Sequence, residues 1–174
     1  MPKGTARTPM PHHHNRVPTL WIAAISLIVA MALRIVPLPH AWAAYNPDWV
    51  LLFLIYWTLA APECIGFGTF WLTGLLTDAL TARALGQHAL AYSLVAYLCL
   101  RLHQRLRLYP LAQQSLSVGL FLLLSQFVIF WTRDVENSQI LEVRYWVLPT
   151  LTGVLAWPAV LHSLRRIRDP SGTP

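Results

Sequence analysis

Charge is what this sequence has least of. Only 11% of its 174 residues are Asp, Glu, Lys or Arg, 56% are apolar, and the mean hydropathy is +0.48. So few polar side chains cannot cover the surface of a water-soluble domain, so the bilayer is taken as the solvent. Acid is scarcer than base: seven Asp and Glu against thirteen Lys and Arg leave a net charge of +6. The basic residues stand at the ends of apolar runs and not along one polar face, which excludes nucleic acid as a partner and makes charge a record of membrane topology.

Cysteine is nearly absent too. Cys64 and Cys99 are far apart and follow no metal-ligand spacing, so free thiols are expected. His12, His13 and His14 in the Pro-rich, basic leader have no further ligand close by. Catalytic patterns are missing: the chain has no H-E-x-x-H, no nucleophile elbow, and no cluster of basic and histidine residues at one interface. Glu63 and Cys64 adjoin, but no base stands beside them to activate the thiol, so they read as turn residues. No internal repeat is visible. The expectation is a protein without catalytic residues, cofactor or metal.

What is present is a series of apolar segments. The expected domain plan is a disordered basic tail over 1–17, a six-helix transmembrane domain over 18–165 and a basic tail over 166–174. Spans are expected at about 20–36, 48–61, 65–84, 88–100 (continuing as a basic helix to 109), 115–131 and 145–164. The first has a rival, because a basic leader, an apolar run and "AWAA" (Ala41 to Ala44) also resemble a cleaved signal peptide. The run is longer than a signal core, and Pro37 and Pro39 precede the site, which favours an uncleaved span. In "NPDW", Asn46 is expected to cap the second helix, Pro47 to take its first position and Asp48 to sit against its dipole. That helix is short, so it either lies in a thinned region or is buried among neighbours. Gly86 is expected to end the third helix at positive φ.

Six spans leave both termini on one side. That side has nine basic residues (Lys3, Arg7, Arg16, Arg101, Arg105, Arg107, Arg165, Arg166, Arg168), against four on the other (Arg34, Arg83, Arg133, Arg144), which places the termini in the cytoplasm. Trp42, Trp49, Trp131 and Trp146 then mark the outer edge and Trp21 and Trp57 the inner one.

Asp78 is the residue that most needs explaining. On a helix it shares a face with Trp71, Gly74, Leu75, Thr81 and Ala82, a small and mildly polar surface of the kind by which membrane helices pack closely. A charge inside a membrane needs a partner, and Arg83, His88, Arg34 and Gln126 stand at comparable depth. Asp78 is then a joint between helices, part of a partner-binding surface, or a titrating or substrate-binding group, with the joint preferred. His88 is read as a neutral imidazole capping free backbone amides at a helix start. Gln126, with Pro149, Gly153 and Pro158 in the sixth span, reads as a packing device or kink. Arg101 and Arg105 lie four apart on one face of "RLHQRLRLY", with Arg107 on another, placed to touch anionic headgroups or a cytoplasmic partner.

The ordered set "PDWVLLFLIYW", "GFGTFWLTGLLTDAL", "LGQHALAYSLVAYL" and "RLHQRLRLYPLAQQ" resembles the rod shape-determining protein MreD family of Gram-negative, proteobacterial type. The match is good over about 47–114 and rests on hydropathy alone at the two ends. "TAR" (Thr81 to Arg83) departs from it, standing where a glycine is expected after the Asp-containing turn. The resemblance implies a non-catalytic inner-membrane subunit of the cell-elongation machinery. Its implied partners are an MreC-type bitopic protein and, through it, MreB and the peptidoglycan synthase. It also implies an all-α bundle similar to the substrate-binding membrane subunits of energy-coupling-factor transporters. A small-molecule carrier in which Asp78, Trp71 and Gln126 line a pocket is the alternative, and an enzyme acting on lipid-linked wall precursors a third.

Overall fold

The computed structural model describes residues 16–37, 39, 45–82, 84–132 and 144–168, with the side chains of 16–18 and 144–146 set aside. The leader with His12 to His14, the Ala41 to Ala44 site, Trp42, Arg83, Arg133 and the side chains of Arg144 and Trp146 lie outside these. The described residues form six helices: α1 Arg16–Ile35, α2 Trp49–Ala60, α3 Phe67–Leu80, α4 Gln87–Leu108, α5 Leu111–Trp131 and α6 Arg144–Arg168. They carry no strand.

α2 is the axis of the bundle. Its sequence, WVLLFLIYWTLA, has no polar stripe, and every residue from Val50 to Leu59 is buried, as expected of a helix that is apolar all round. With 12 residues it rises only about 18 Å at 1.5 Å per residue. Its shortness is accommodated by neighbours, since α1, α4, α5 and α6 all pack against it. Two of its polar groups are satisfied inside: Thr58 Oγ1 donates to the Leu54 carbonyl at 2.8 Å, and Trp57 Nε1 donates to Ser26 Oγ of α1 at 2.8 Å. Trp57, expected at the inner interface, is fully buried because its ring is needed between α1 and α2. Trp21 and Trp131, by contrast, are exposed.

The start of α2 also differs in detail from the sequence reading. Asp48, not Asn46, is the N-cap, accepting from the Leu51 amide at 3.2 Å, while Asn46 Oδ1 accepts from Trp49 Nε1 at 2.9 Å. Asp48 stands nearer the free amides, so the acid takes them and the amide side chain holds the indole.

Successive helices alternate in direction. The end of α1 meets the start of α4 through Arg34 and His88. The start of α2 meets α4 through Asp48 and Tyr92, and Gln87 at the start of α4 reaches the end of α5 at Thr132. At the opposite end Arg168 of α6 meets Ala60 of α2, and Gln114 of α5 meets Leu106 of α4. The most extensive pairing is α3 with α4, followed by α5 with α6 and α4 with α5.

The outer surface is apolar. Trp21, Ile25 and Ile28 on α1, Trp71 and Leu72 on α3, Leu90 on α4, Leu116 on α5 and Leu155 on α6 are all exposed. α5 and Val147–Arg168 are long and apolar enough to cross a membrane; Thr19–Ile35 and Trp49–Ala60 are shorter apolar helices. Apolar surface on so many faces needs lipid around it, and the chain is a membrane protein.

Candidate functional site

The end of the bundle where α1 and α3 finish and α2 and α4 begin gathers four ionisable side chains and a tyrosine. α3 stops at Leu80, short of residue 84, because the chain turns left-handed at Ala82 (φ 50) and the Thr81 amide closes the helix on the Thr77 carbonyl. The glycine expected in this turn is absent, and an alanine holds the left-handed position. Gly86 does adopt positive φ (106), but as the N-cap of α4, not as the end of α3. The last turn of α3 faces the first turn of α4 at this end of the bundle.

Asp78 fills that junction. Its carboxylate accepts from the Gly86 amide at 2.8 Å, the His88 amide at 3.0 Å and the Ala89 amide at 3.4 Å. These are amides that a helix start leaves without intrahelical partners, and Gly86 has no side chain with which to cap them. Asp78 supplies the cap from the neighbouring helix, where its charge also suits the dipole of α4. The side chain is fully buried.

The His88 ring does not cap backbone amides. It is fully buried, with Nδ1 2.6 Å from Asp78 Oδ1 and Nε2 3.4 Å from a guanidinium nitrogen of Arg34. Arginine can only donate, so Nε2 presents its lone pair and the ring proton sits on Nδ1, donated to Asp78. Arg34, His88 and Asp78 thus form a directed chain from cation through neutral imidazole to anion, linking α1, α4 and α3.

A second acid completes the group. Asp48 accepts from the Tyr92 hydroxyl at 2.8 and 2.9 Å while capping α2, and Arg34 lies within electrostatic reach of it. Tyr92 lies one turn beyond His88 on α4, and the two rings meet edge to face at 5.7 Å. The sequence reading passed over Tyr92. Its signal was the spacing of four from His88, which puts both on one helix face.

Close backbone approach makes this junction possible. A Cβ on Gly74 would stand 2.6 Å from Ala89 Cα, so the third and fourth helices touch main chain to main chain one turn below Asp78. Of the other residues on that face, Trp71 is about half exposed on the outer surface and Leu75 is half-buried. Gln126 on α5 is half-buried and is not among the hydrogen-bond partners of Asp78. Of the three residues expected to line a carrier pocket, Asp78 is fully buried, Gln126 half-buried and Trp71 on the outer surface. Arg101, Arg105 and Arg107 are exposed at the opposite end, where Arg101 donates to the Tyr97 hydroxyl at 2.7 Å. Neither cysteine is in a disulfide among the described residues; Cys99 is buried and Cys64 half-buried. Among the described residues no group of three His, Cys, Asp or Glu side chains is placed to hold a metal ion.

A family profile described as rod shape-determining protein MreD matches residues 15–167, which takes in all six helices but for the last residue of α6. The chain belongs to the MreD family. The rod shape-determining protein MreD of Haemophilus influenzae is 33% identical to it over 151 residues, covering 85% of this chain and 91% of that protein. No solved structure matches the chain. Membership gives the chain a role in rod cell shape. The buried junction of Asp78, His88, Arg34, Asp48 and Tyr92 lies wholly inside the region matched to the family.

Proposed function

We propose that this protein is a non-catalytic scaffold subunit of the bacterial cell-elongation machinery. In this reading all six helices lie in the inner membrane with both termini cytoplasmic. The bundle follows the general plan of the substrate-binding membrane subunits of energy-coupling-factor transporters, put to structural use. It holds an MreC-type bitopic protein and links wall synthesis to the MreB filament through it.

The observation that carries this reading is how the buried polar groups are used. Asp78 takes up amides of α4 and the His88 proton, His88 takes up Arg34, and Asp48 takes up Tyr92 and the start of α2. Groups so fully engaged with one another hold helices together; they have no lone pair directed at a substrate. Asp78 is thus proposed as a joint, Gly74 as the contact that lets the helices close, and Gly86 and His88 as its receiving half. What remains on the surface is apolar helix, and Trp71 with its exposed neighbours offers a face on which another transmembrane helix can pack.

The test is co-purification in mild detergent with the MreC-type protein of the same cell, together with depletion. A retained partner and rounded cells on depletion are expected. Normal rods after depletion, or no bitopic protein retained, would remove the scaffold reading. Reporter fusions at the two ends test the topology separately, and both are expected to report cytoplasm.

A further inference from the structure

At the end of the bundle opposite the Asp78 junction, α4, α5 and α6 part around the end of α2 and leave a cavity of about 100 Å³. Its lining includes Arg107 from α4, Arg165 and Arg168 from α6, Gln114 from α5 and Tyr56 from α2. Among the described residues no Asp or Glu lines it. Two of the three guanidinium groups belong to exposed residues, and the third, Arg168, donates to the Ala60 carbonyl at 3.3 Å, satisfying an otherwise orphaned oxygen at the end of α2. Gln114 is held in place at the cavity wall by Leu106, whose carbonyl accepts from Nε2 at 3.3 Å, and by Trp157, which donates to Oε1 at 3.4 Å.

We propose that this cavity is a binding site for a phosphate group. At about 100 Å³ the space admits one tetrahedral anion. Arginine supplies planar pairs of donors that match phosphate oxygens, and three arginines from two helices, with no acid among the described lining residues, make the cavity positive. The same chemistry serves the headgroup of an anionic phospholipid, its chains lying along the exposed leucines of α5, or a water-soluble phosphate. The proposed topology decides only which leaflet would supply the lipid; the arginine cavity itself does not depend on it.

The experiment uses the full-length protein reconstituted in nanodiscs of phosphatidylcholine containing a minority of phosphatidylglycerol. It is then extracted and its retained lipid measured by native mass spectrometry, with and without inorganic phosphate. Arg165→Gln and Arg107→Gln reach the cavity from separate helices, and Arg166→Gln removes an equal charge from a neighbouring exposed residue outside the lining. Retained phosphatidylglycerol is expected to fall about tenfold in each cavity variant and less than twofold in Arg166→Gln. If the lipid is retained and inorganic phosphate fails to displace it, the headgroup is the ligand. If inorganic phosphate binds with the same variant sensitivity and phosphatidylglycerol shows no preference, the ligand is soluble; either result supports the site. Equal losses in Arg166→Gln and the cavity variants, or no binding of either ligand, overturn it. Should Arg165→Gln fail to fold, Arg107→Gln at the exposed end of α4 gives the same reading.

Discussion

The two ends of the bundle use charge in opposite ways. At one end Arg34, Asp48, Asp78, His88 and Tyr92 sit together, acid against base, and each finds its partner within the group. At the other, Arg101, Arg105, Arg107, Arg165, Arg166 and Arg168 face a single described acid, the exposed Glu63. The first arrangement is closed and binds helix to helix; the second is open and has positive charge in excess. Charge in a membrane protein is therefore read by its partners: groups whose hydrogen bonds close on one another hold the fold together, and cations left without acids face something outside it.

Breaking the closed end is expected to give the largest effects. Asp78→Leu strips the cap from α4 and leaves His88 without its acceptor, at a cost of about 3 to 5 kcal/mol. Asp78→Asn keeps one acceptor, but every partner of Asp78 is a donor, so its NH2 group faces donors and the loss is about 2 kcal/mol. Thermal unfolding of the purified protein in detergent should rank wild type, Asn and Leu in that order. Equal loss for the two variants would mean that the charge, and not the hydrogen bonding, holds the junction.

Gly74→Ala tests the close approach below the acid. With the new methyl 2.6 Å from Ala89 Cα, the helices must part, for about 1 to 3 kcal/mol. A midpoint unchanged from wild type would show that α3 and α4 are not packed backbone to backbone. Tyr92→Phe removes the donor to Asp48 and leaves its cap of α2 in place, and about 1.5 kcal/mol is expected on the same assay. Ala82→Gly should raise stability by about 0.5 kcal/mol, since glycine takes the left-handed turn without the strain of a β-carbon. At the open end, Arg166→Gln should move the midpoint by less than about 0.5 kcal/mol. A larger drop there would erase the contrast between the two ends.

Much of this was legible in the order of residues. The four-residue spacing of Gly74 and Asp78 placed them on one face, and the apolar runs located the helices. What spacing could not decide was which of several groups at one depth the acid would meet, because that depends on how helices distant in sequence pack. Asp78 found His88 ten residues away, whereas the 44-residue separation of Asp48 and Tyr92 left no local trace. Helix ends were harder still. Gly86 marks positive φ, but the helix it serves is the one that follows, and the turn ending α3 is carried by an alanine with no such signature. The burial of Trp57 was likewise hidden, since an aromatic near a helix end reads equally as interface or core.

The most direct test of the central claim is amide hydrogen exchange on the protein in nanodiscs, comparing wild type with Asp78→Leu, which removes both acceptor oxygens, at Gly86, His88 and Ala89. If the carboxylate of α3 caps α4, these three amides lose protection in the variant while those in the middle of α5 and α6 keep theirs. Unchanged protection at the three amides, in a variant that remains folded, would contradict the account.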